Sequence, residues 1–347
     1  VKRGGKAAKK RGHSVEGAQF EAEVLPGLEP IAAAELAKLA GVGGVKPSSG
    51  AVGFRYAGPL AALARLRTVV AVYRVLAFAV PRPKALLGDE HFRKLLLATQ
   101  EVCRASKTPF HSFRLSAAGR GSSVFQRLAA AFRDASGLAD DPEEGDLFMR
   151  VRKARGWEVL LRLTPRPLSA RSWRVCNRAG GLNATLAAAV WRLLSSPGER
   201  VLNAMCGSGT LLIERPRRSG YLVGVDIDPE ALACVRENLR AASLGEVELL
   251  QADATALPFS PASFDVVVAD LPWGDAVGSH QGNAVLYPAF LAEMARLLAP
   301  GGELAVITHE VRLFERLLAA APGWQVERQL KVFHGGHYPR LYLLRRT

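Results

Sequence analysis

Arg200-Val201-Leu202-Asn203-Ala204-Met205-Cys206-Gly207-Ser208-Gly209-Thr210 reads as a short buried strand, a glycine turn and the opening of a helix. It begins an alternation of strand and helix that continues to the end of the chain, the mark of a parallel sheet. Strand 222–225, helix 229–241, strand 247–250 and strand 265–269 follow in order. Helix 287–298, strand 303–308 and helix 312–320 come next. A hairpin over 324–333 and 341–344, turned at Gly335-Gly336, closes the series. Upstream, a helix over 184–194 leads into the first strand, and Pro216 is expected to end the short helix opened at Thr210. The expected architecture is a Rossmann-like α/β domain over 173–347, a parallel sheet with an antiparallel hairpin at one edge.

The glycines of Cys206-Gly207-Ser208-Gly209-Thr210 let a ligand approach the backbone closely. Their spacing is not G-x-G-x-x-G and no lysine follows, so a pyrophosphate or triphosphate is not favoured. Asp226 ends the second strand, where a carboxylate can accept from both hydroxyls of a ribose. Asp253, just after the third strand, can accept from an adenine amine. Either aspartate alone could be a helix cap. Together with the glycine turn they fall at the carboxyl ends of successive strands, where open α/β sheets bind ligands.

Asp270-Leu271-Pro272-Trp273, followed by Gly274, comes directly after the apolar run 264–269. An exocyclic amine on a purine is a poor nucleophile because its lone pair is conjugated with the ring. The Asp270 carboxylate and a backbone carbonyl of Leu271 or Pro272 could each take one N–H and turn that lone pair toward an electrophile. Proline holds the carbonyl rigidly, and Trp273 offers a face for the base. The bland alternative is a turn after a core strand with a half-buried tryptophan.

The 347 residues suit two or three domains, and 49% hydrophobic content with a mean hydropathy of +0.08 indicates packed cores. Charge is divided unevenly. Residues 1–180 hold 31 Lys and Arg against 15 Asp and Glu, whereas residues 181–347 hold 15 against 17. A basic first half implies a polyanionic partner, which without a membrane-binding helix is nucleic acid; a merely solvated basic surface is the competing reading. Residues 1–15 carry six basic residues with no apolar stretch behind them, so they read as a disordered arm rather than a secretory signal. From Phe20 to about Pro81 the pattern is strand, helix, strand, strand, helix, strand, suiting a ferredoxin-like unit over 16–82. The glycines at 41, 43 and 44 and Pro47 read there as breaks. Pro81-Arg82-Pro83 reads as a linker to a second α+β unit over 83–172, in which arginines recur, Arg114 and Arg120 among them. The segment Leu168-Ser169-Ala170-Arg171-Ser172-Trp173-Arg174 interleaves cations with an aromatic, as contacts to phosphate and base require.

Residues 200–275 resemble class I S-adenosylmethionine-dependent methyltransferases, with VLNAMCGSGTLLIE, GVDIDPEALACVRENL, QADATALPF and DLPWG in that order. With FRLSAAGRGSS, LTPRPLSARSWRV and the loop GSHQGNAVLYP, the chain is similar more narrowly to the THUMP-containing tRNA guanine-N2 methyltransferases. The resemblance implies a ferredoxin-like unit and a THUMP domain ahead of the catalytic domain, S-adenosylmethionine as cofactor, and tRNA as partner, methylated in the acceptor stem or at the D-arm junction. Carried over by position, Gly207 and Gly209 would lie against the methionine portion of the cofactor and Asp226 would bind its ribose, with Cys206, Thr210 and Ile227 as further cofactor-binding candidates. Asp253 and Ala254 would meet the adenine, and Asp270, Leu271, Pro272 and Trp273 would hold the target base. Arg114, Arg120, Arg171 and Arg174 would contact RNA. Asn203 stands where the family usually has Asp, which weakens an expected contact with the cofactor's amino group, and Leu271 replaces the commoner first proline.

The four cysteines, Cys103, Cys176, Cys206 and Cys234, form no C-x-x-C pair, so neither a disulfide nor a zinc site is expected, and the compartment reads as reducing and cytoplasmic. His280, His309, His334 and His337 have no ligand spacing and read as surface or packing residues, with no metal. No run is long enough to span a bilayer, and a monomer is expected. The competing functions are an rRNA guanine-N2 or adenine-N6 nucleic-acid methyltransferase and, from another class, a non-catalytic RNA-binding protein that keeps a cofactor pocket.

Overall fold

The computed structural model describes residues 17–195, 198–216, 220–274 and 278–347. The expected basic arm lies outside the described residues. The first half contains β1 (Ala18–Glu23), α1 (Glu29–Ala37), β2 (Val42–Ser48), β3 (Ala51–Tyr56), α2 (Leu60–Leu63) and β4 (Ala71–Phe78). It continues through α3 (Asp89–Ala105), β5 (Ser112–Ala117), α4 (Ser123–Ser136), β6 (Ala139–Asp140), β7 (Leu147–Lys153) and β8 (Trp157–Arg162). The segment read as a break, 41–47, is in fact edge strand β2, with an irregular register between Gly43 and Lys46. An edge strand tolerates Pro47 because one side of its ladder needs no donor.

Strand order in the first sheet is β2-β3-β1-β4-β8-β7-β5-β6. The strands on either side of Pro81-Arg82-Pro83 are thus hydrogen-bonded into one sheet, through β4 and β8 from Tyr73 opposite Arg162 to Phe78 opposite Trp157. Two units with separate sheets do not form. Strand β4 is buried along most of its length and would present a bare row of backbone donors and acceptors if β8 did not cover it.

The second half contains α5 (Ala184–Leu193), β9 (Arg200–Ala204), α6 (Thr210–Glu214), β10 (Tyr221–Asp226), α7 (Pro229–Ala241) and β11 (Glu248–Gln251). It ends with β12 (Phe264–Asp270), α8 (His280–Leu297), β13 (Leu298–Thr308), α9 (Val311–Ala320), β14 (Trp324–Lys331) and β15 (Arg340–Arg346). The sheet runs β11-β10-β9-β12-β13-β15-β14, with β9 to β13 parallel and β15 antiparallel between β13 and β14. This is the class I methyltransferase fold. The chain winds outward from β9 to β11, then crosses to β12 on the other side, which opens a crevice at the carboxyl ends of β9 and β12. Apolar side chains of β12 (Phe264, Val266, Val267, Val268) are buried on both faces, as a central parallel strand requires.

One expectation fails at α8. The stretch read as a loop, 278–288, is helical from His280 onward, although Pro288 lies within the helix. Ser279 caps it by accepting the Gly282 N–H at 3.0 Å, a start signal hidden upstream of the apolar pattern.

The halves share one apolar cluster that includes Leu36 of α1 and Ala187 of α5. Two buried carboxylates add ionic ties across the junction. Glu214, whose side chain is fully buried, accepts from Arg67 (2.6 Å) and Arg171 (2.9 Å). Glu35 accepts from Arg192 at 2.6 Å and from the Thr68 N–H at 2.9 Å.

Cys176 and Cys234 are joined by a disulfide, with Cα atoms 5.4 Å apart. This corrects the expectation of unpaired cysteines and removes the ground for reading a reducing compartment. The partners are 58 residues apart in sequence, and only folding of the 171–182 segment against α7 brings them together. None of the helices among the described residues is long and apolar enough to cross a membrane.

Candidate active site

The turn after β9 departs from ordinary backbone geometry. Met205 has φ of 52°, Gly207 54° and Gly209 79°. A Cβ on Gly207 would meet nothing within 4 Å, so this glycine faces open space, whereas one on Gly209 would lie 3.0 Å from Val235 Cγ1. Gly207 therefore exposes its backbone to the crevice, and Gly209 permits α6 to pack against α7. The turn is held by Asp226, at the end of β10, which accepts from Gly207 N at 2.8 Å and Asp228 N at 3.0 Å. Each carboxylate oxygen keeps lone-pair capacity beyond one such bond.

A cavity of about 1010 Å³ opens at this switch point. Cys206, Gly207, Thr210, Asp226, Ile227, Asp253, Ala254 and the whole of Asp270 to Trp273 line it. Asp253 accepts from the N–H and hydroxyl of Thr255, at 2.8 and 2.7 Å. Ile227 is 67% exposed, an apolar surface beside the Asp226 carboxylate. Burial pushes the Cys206 thiol up, so it lines the cavity as a neutral, apolar group.

Other expected residues are turned elsewhere. Asn203 is buried within the sheet, its amide donating to Val268 O at 3.0 Å and Ala204 O at 3.2 Å, and its Oδ1 has no hydrogen-bond partner among the described residues. Arg171 is spent on Glu214 and on the carbonyls of Leu168 and Arg67. Arg174 donates to Leu182 O at 2.7 Å and Thr210 Oγ1 at 2.8 Å. These two cations stitch the 171–182 segment to the catalytic half instead of facing a partner. Arg114 and Arg120 lie far along the first sheet, bonded to the carbonyls of Glu143 (2.7 Å) and Pro142 (3.4 Å).

At the end of β12, the Leu271 N–H donates to Ile307 O at 3.0 Å and anchors the turn to β13. The Trp273 indole N–H donates to Asp270 Oδ1 at 3.3 Å. Burial pushes the Asp270 carboxyl up to about 7, with the Trp273 bond opposing it. The Pro272 carbonyl is already occupied, by Tyr287 Oη at 2.7 Å and Asn283 Nδ2 at 2.9 Å. Of the two carbonyls left open by sequence, that leaves Leu271's.

Sequence reasoning missed three groups around this turn. Asn283 and Tyr287 sit inside the motif GSHQGNAVLYP, the available signal, but the pattern reads Asn283 as loop and Tyr287 only as the first residue of a helix, so neither is expected at the site. His309, His334 and His337 surround the Trp273 ring at centroid distances of 5.8, 5.7 and 6.1 Å, and His334 and His337 also line the cavity. Burial, then the charges of Arg174 and His337, lower the pKa of His334, keeping it a neutral packing ring at neutral pH. Arg178 to Leu182 supply another wall, which the turn chemistry of that segment did not announce.

Residues 171–340 match the UPF0020 family, an RMKL-like methyltransferase domain. The tRNA (guanine(6)-N2)-methyltransferase of Thermus thermophilus is 35% identical over 245 residues, covering 67% of this chain and 72% of that protein. The chain belongs to the family of tRNA guanine-N2 methyltransferases. The crystal structure of TrmN from Thermus thermophilus superposes on this methyltransferase with a TM-score of 0.77 and 30% identity, over 95% of this chain and 99% of that one. The mouse tRNA (guanine(6)-N(2))-methyltransferase THUMP3 is 31% identical over 183 residues, 48% of this chain but 36% of its own length. The family's donor is S-adenosylmethionine. The open face at Gly207 and the Asp226 carboxylate on the cavity wall suit such a group; the buried Asn203, with its orphaned oxygen, is the position that does not contribute a carboxylate.

Proposed function

We propose that this methyltransferase modifies N2 of a guanosine in tRNA, at position 6 as its relatives' names indicate. The observation that carries this reading is the arrangement at the end of β12. The Asp270 carboxylate and Leu271 line the cavity with the Trp273 indole beside them, while the neighbouring Pro272 carbonyl is withdrawn from use.

Asp226 accepts from the ribose and Asp253 from the adenine amine of S-adenosylmethionine, which when bound supplies an electrophilic methyl group. The Asp270 carboxylate accepts one N–H of the guanine amine, and the Leu271 carbonyl accepts the other. This removes the lone pair from conjugation and stabilises positive charge as it develops on nitrogen. With a raised pKa, Asp270 is also suited to receive the proton the amine must lose. Trp273, braced by His309, His334 and His337, stacks on the base, which has to leave its helix to reach the cavity. The first half, a ferredoxin-like unit over 16–82 and a THUMP domain over 83–172 that share one sheet through β4 and β8, grips tRNA by shape and charge, and the protein works as a monomer.

Transfer of tritiated methyl from S-adenosylmethionine to undermethylated tRNA, followed by nucleoside digestion, tests this reading. N2-methylguanosine is the expected product. N6-methyladenosine, or no product, would replace it with one of the rival functions.

A further inference from the structure

We propose that Tyr287 and Asn283 are positioning residues for methyl transfer, which fix the Asp270 to Trp273 turn by filling both lone pairs of the Pro272 carbonyl. The inference rests on the reading of Asp270 and Leu271 given above and adds to it the groups that hold them in place.

The two residues are four apart on α8, so their side chains emerge from one face and reach one atom. Tyr287 is fully buried and Asn283 is 1% exposed, so neither side chain has bulk water to turn to in place of Pro272. The direction of every proton in the network follows from its ends. A carbonyl can only accept, so Tyr287 Oη must donate to Pro272 O, at 2.7 Å. Its single proton thus committed, Tyr287 Oη must accept from Thr308 Oγ1, 2.8 Å away. Thr308 Oγ1 in turn accepts from the Glu310 N–H at 3.0 Å. The second arm also ends on Glu310: Asn283 Nδ2 donates to Pro272 O at 2.9 Å and lies 3.3 Å from Glu310 Oε1. The same carboxylate oxygen is bonded by His280 Nδ1.

A closed ring therefore runs from Glu310 through Thr308 and Tyr287 to Pro272, and back through Asn283. Along the first arm the bonds point one way, from the Glu310 N–H to the Pro272 carbonyl, and so polarise one another; on the second the Asn283 amide donates at both ends and ties the arms together. Its output is a turn with one remaining choice of backbone acceptor and a carboxylate whose spacing from that acceptor does not drift. An amine that must be held by two acceptors at once is sensitive to such drift, since a misplacement of about 1 Å can cost about 100-fold in rate.

Tyr287→Phe keeps the ring and its packing but removes the proton that reaches Pro272. In wild-type and variant enzymes, kcat and KM for both substrates would be measured with S-adenosylmethionine and undermethylated tRNA, together with Tm and tRNA affinity. The expected result is a fall in kcat of about 10- to 100-fold, with KM for both substrates and tRNA affinity within about 2-fold of wild type. Thr308→Val, which leaves Tyr287 intact but removes its donor, should give a smaller fall of the same kind, and Thr308→Ser should restore most of the rate. A wild-type kcat in both Tyr287→Phe and Thr308→Val overturns the inference. So does a loss in which kcat, KM and Tm worsen together, because that is the signature of general loosening. If the wild-type enzyme itself makes no N2-methylguanosine, the reading of the site fails, a different outcome from wild-type product formation that is indifferent to Tyr287→Phe.

Discussion

The two sheets handle charge in opposite ways. On the first, arginines are folded back onto the protein: Arg152 is paired with Glu21 (2.7 Å) and Glu158 (2.8 Å), and Arg150 with Glu23 (3.4 Å). Arg114, Arg150 and Arg162 also gather over the Phe148 ring, at 4.7, 5.5 and 5.5 Å. On the second, acidic groups at the carboxyl ends of β10 and β12 face a cavity, and one of them carries a raised pKa. A net charge counted along a sequence thus does not say which cations are free to meet a polyanion, because an arginine that stacks and pairs internally has little left to offer phosphate.

Four measurements press on this contrast. The largest effect is expected from Asp270→Ala, which should reduce methyl transfer by about 10³-fold or more while tRNA affinity stays unchanged; parallel loss of both would erase the distinction between the two sheets. Next, Glu214→Ala leaves Arg171 without its buried acid and should destabilise the fold by about 3–5 kcal/mol in denaturant melts. Arg171→Ala should likewise lower stability more than RNA affinity, the reverse of what a phosphate contact would do.

The third measurement concerns pH. Because burial raises the Asp270 carboxyl to about 7, ionising it costs the folded state stability. The contribution is fully present below the unfolded value, near pH 4, and is lost as pH rises through about 7. Asp270→Asn should therefore be more stable than wild type at pH 8, by no more than about 4 kcal/mol, with the gap closing toward pH 4. Activity of the wild type should move the other way, rising through pH 7 as the acceptor form appears. The smallest effect is expected from Arg120→Ala on the exposed end of the first sheet: a few-fold weaker tRNA binding, and a salt dependence shallower by about one ion.

The catalytic sheet was legible because its strands are apolar runs bounded by glycine, aspartate and proline, and each local pattern has one reading. The same punctuation misled at β2, where Gly43 and Pro47 are tolerated by an edge, and at α8, where Ser279 caps a helix that interrupts no apolar period. Of the candidate site, Asp226, Asp253 and the turn from Asp270 to Trp273 were read from their places after strands, and the cavity gathers them. Arg171 and Arg174 were misjudged because a surface cation and a buried one look alike in a sequence; only Glu214 and Thr210, more than 30 residues away, distinguish them.

Sequence alone determined the strand and helix order of the second half, the glycine turn and the acids that follow successive strands, since these depend on periodicity and backbone propensity within a few residues. Tertiary structure alone decided which carbonyl of Leu271 and Pro272 is left to work, which cysteines join, and that the first half is one sheet. Those outcomes depend on groups meeting across tens of residues, Asn283 and Tyr287 with Pro272, Cys176 with Cys234, β4 with β8. No local pattern encodes a distance that only the closed chain sets.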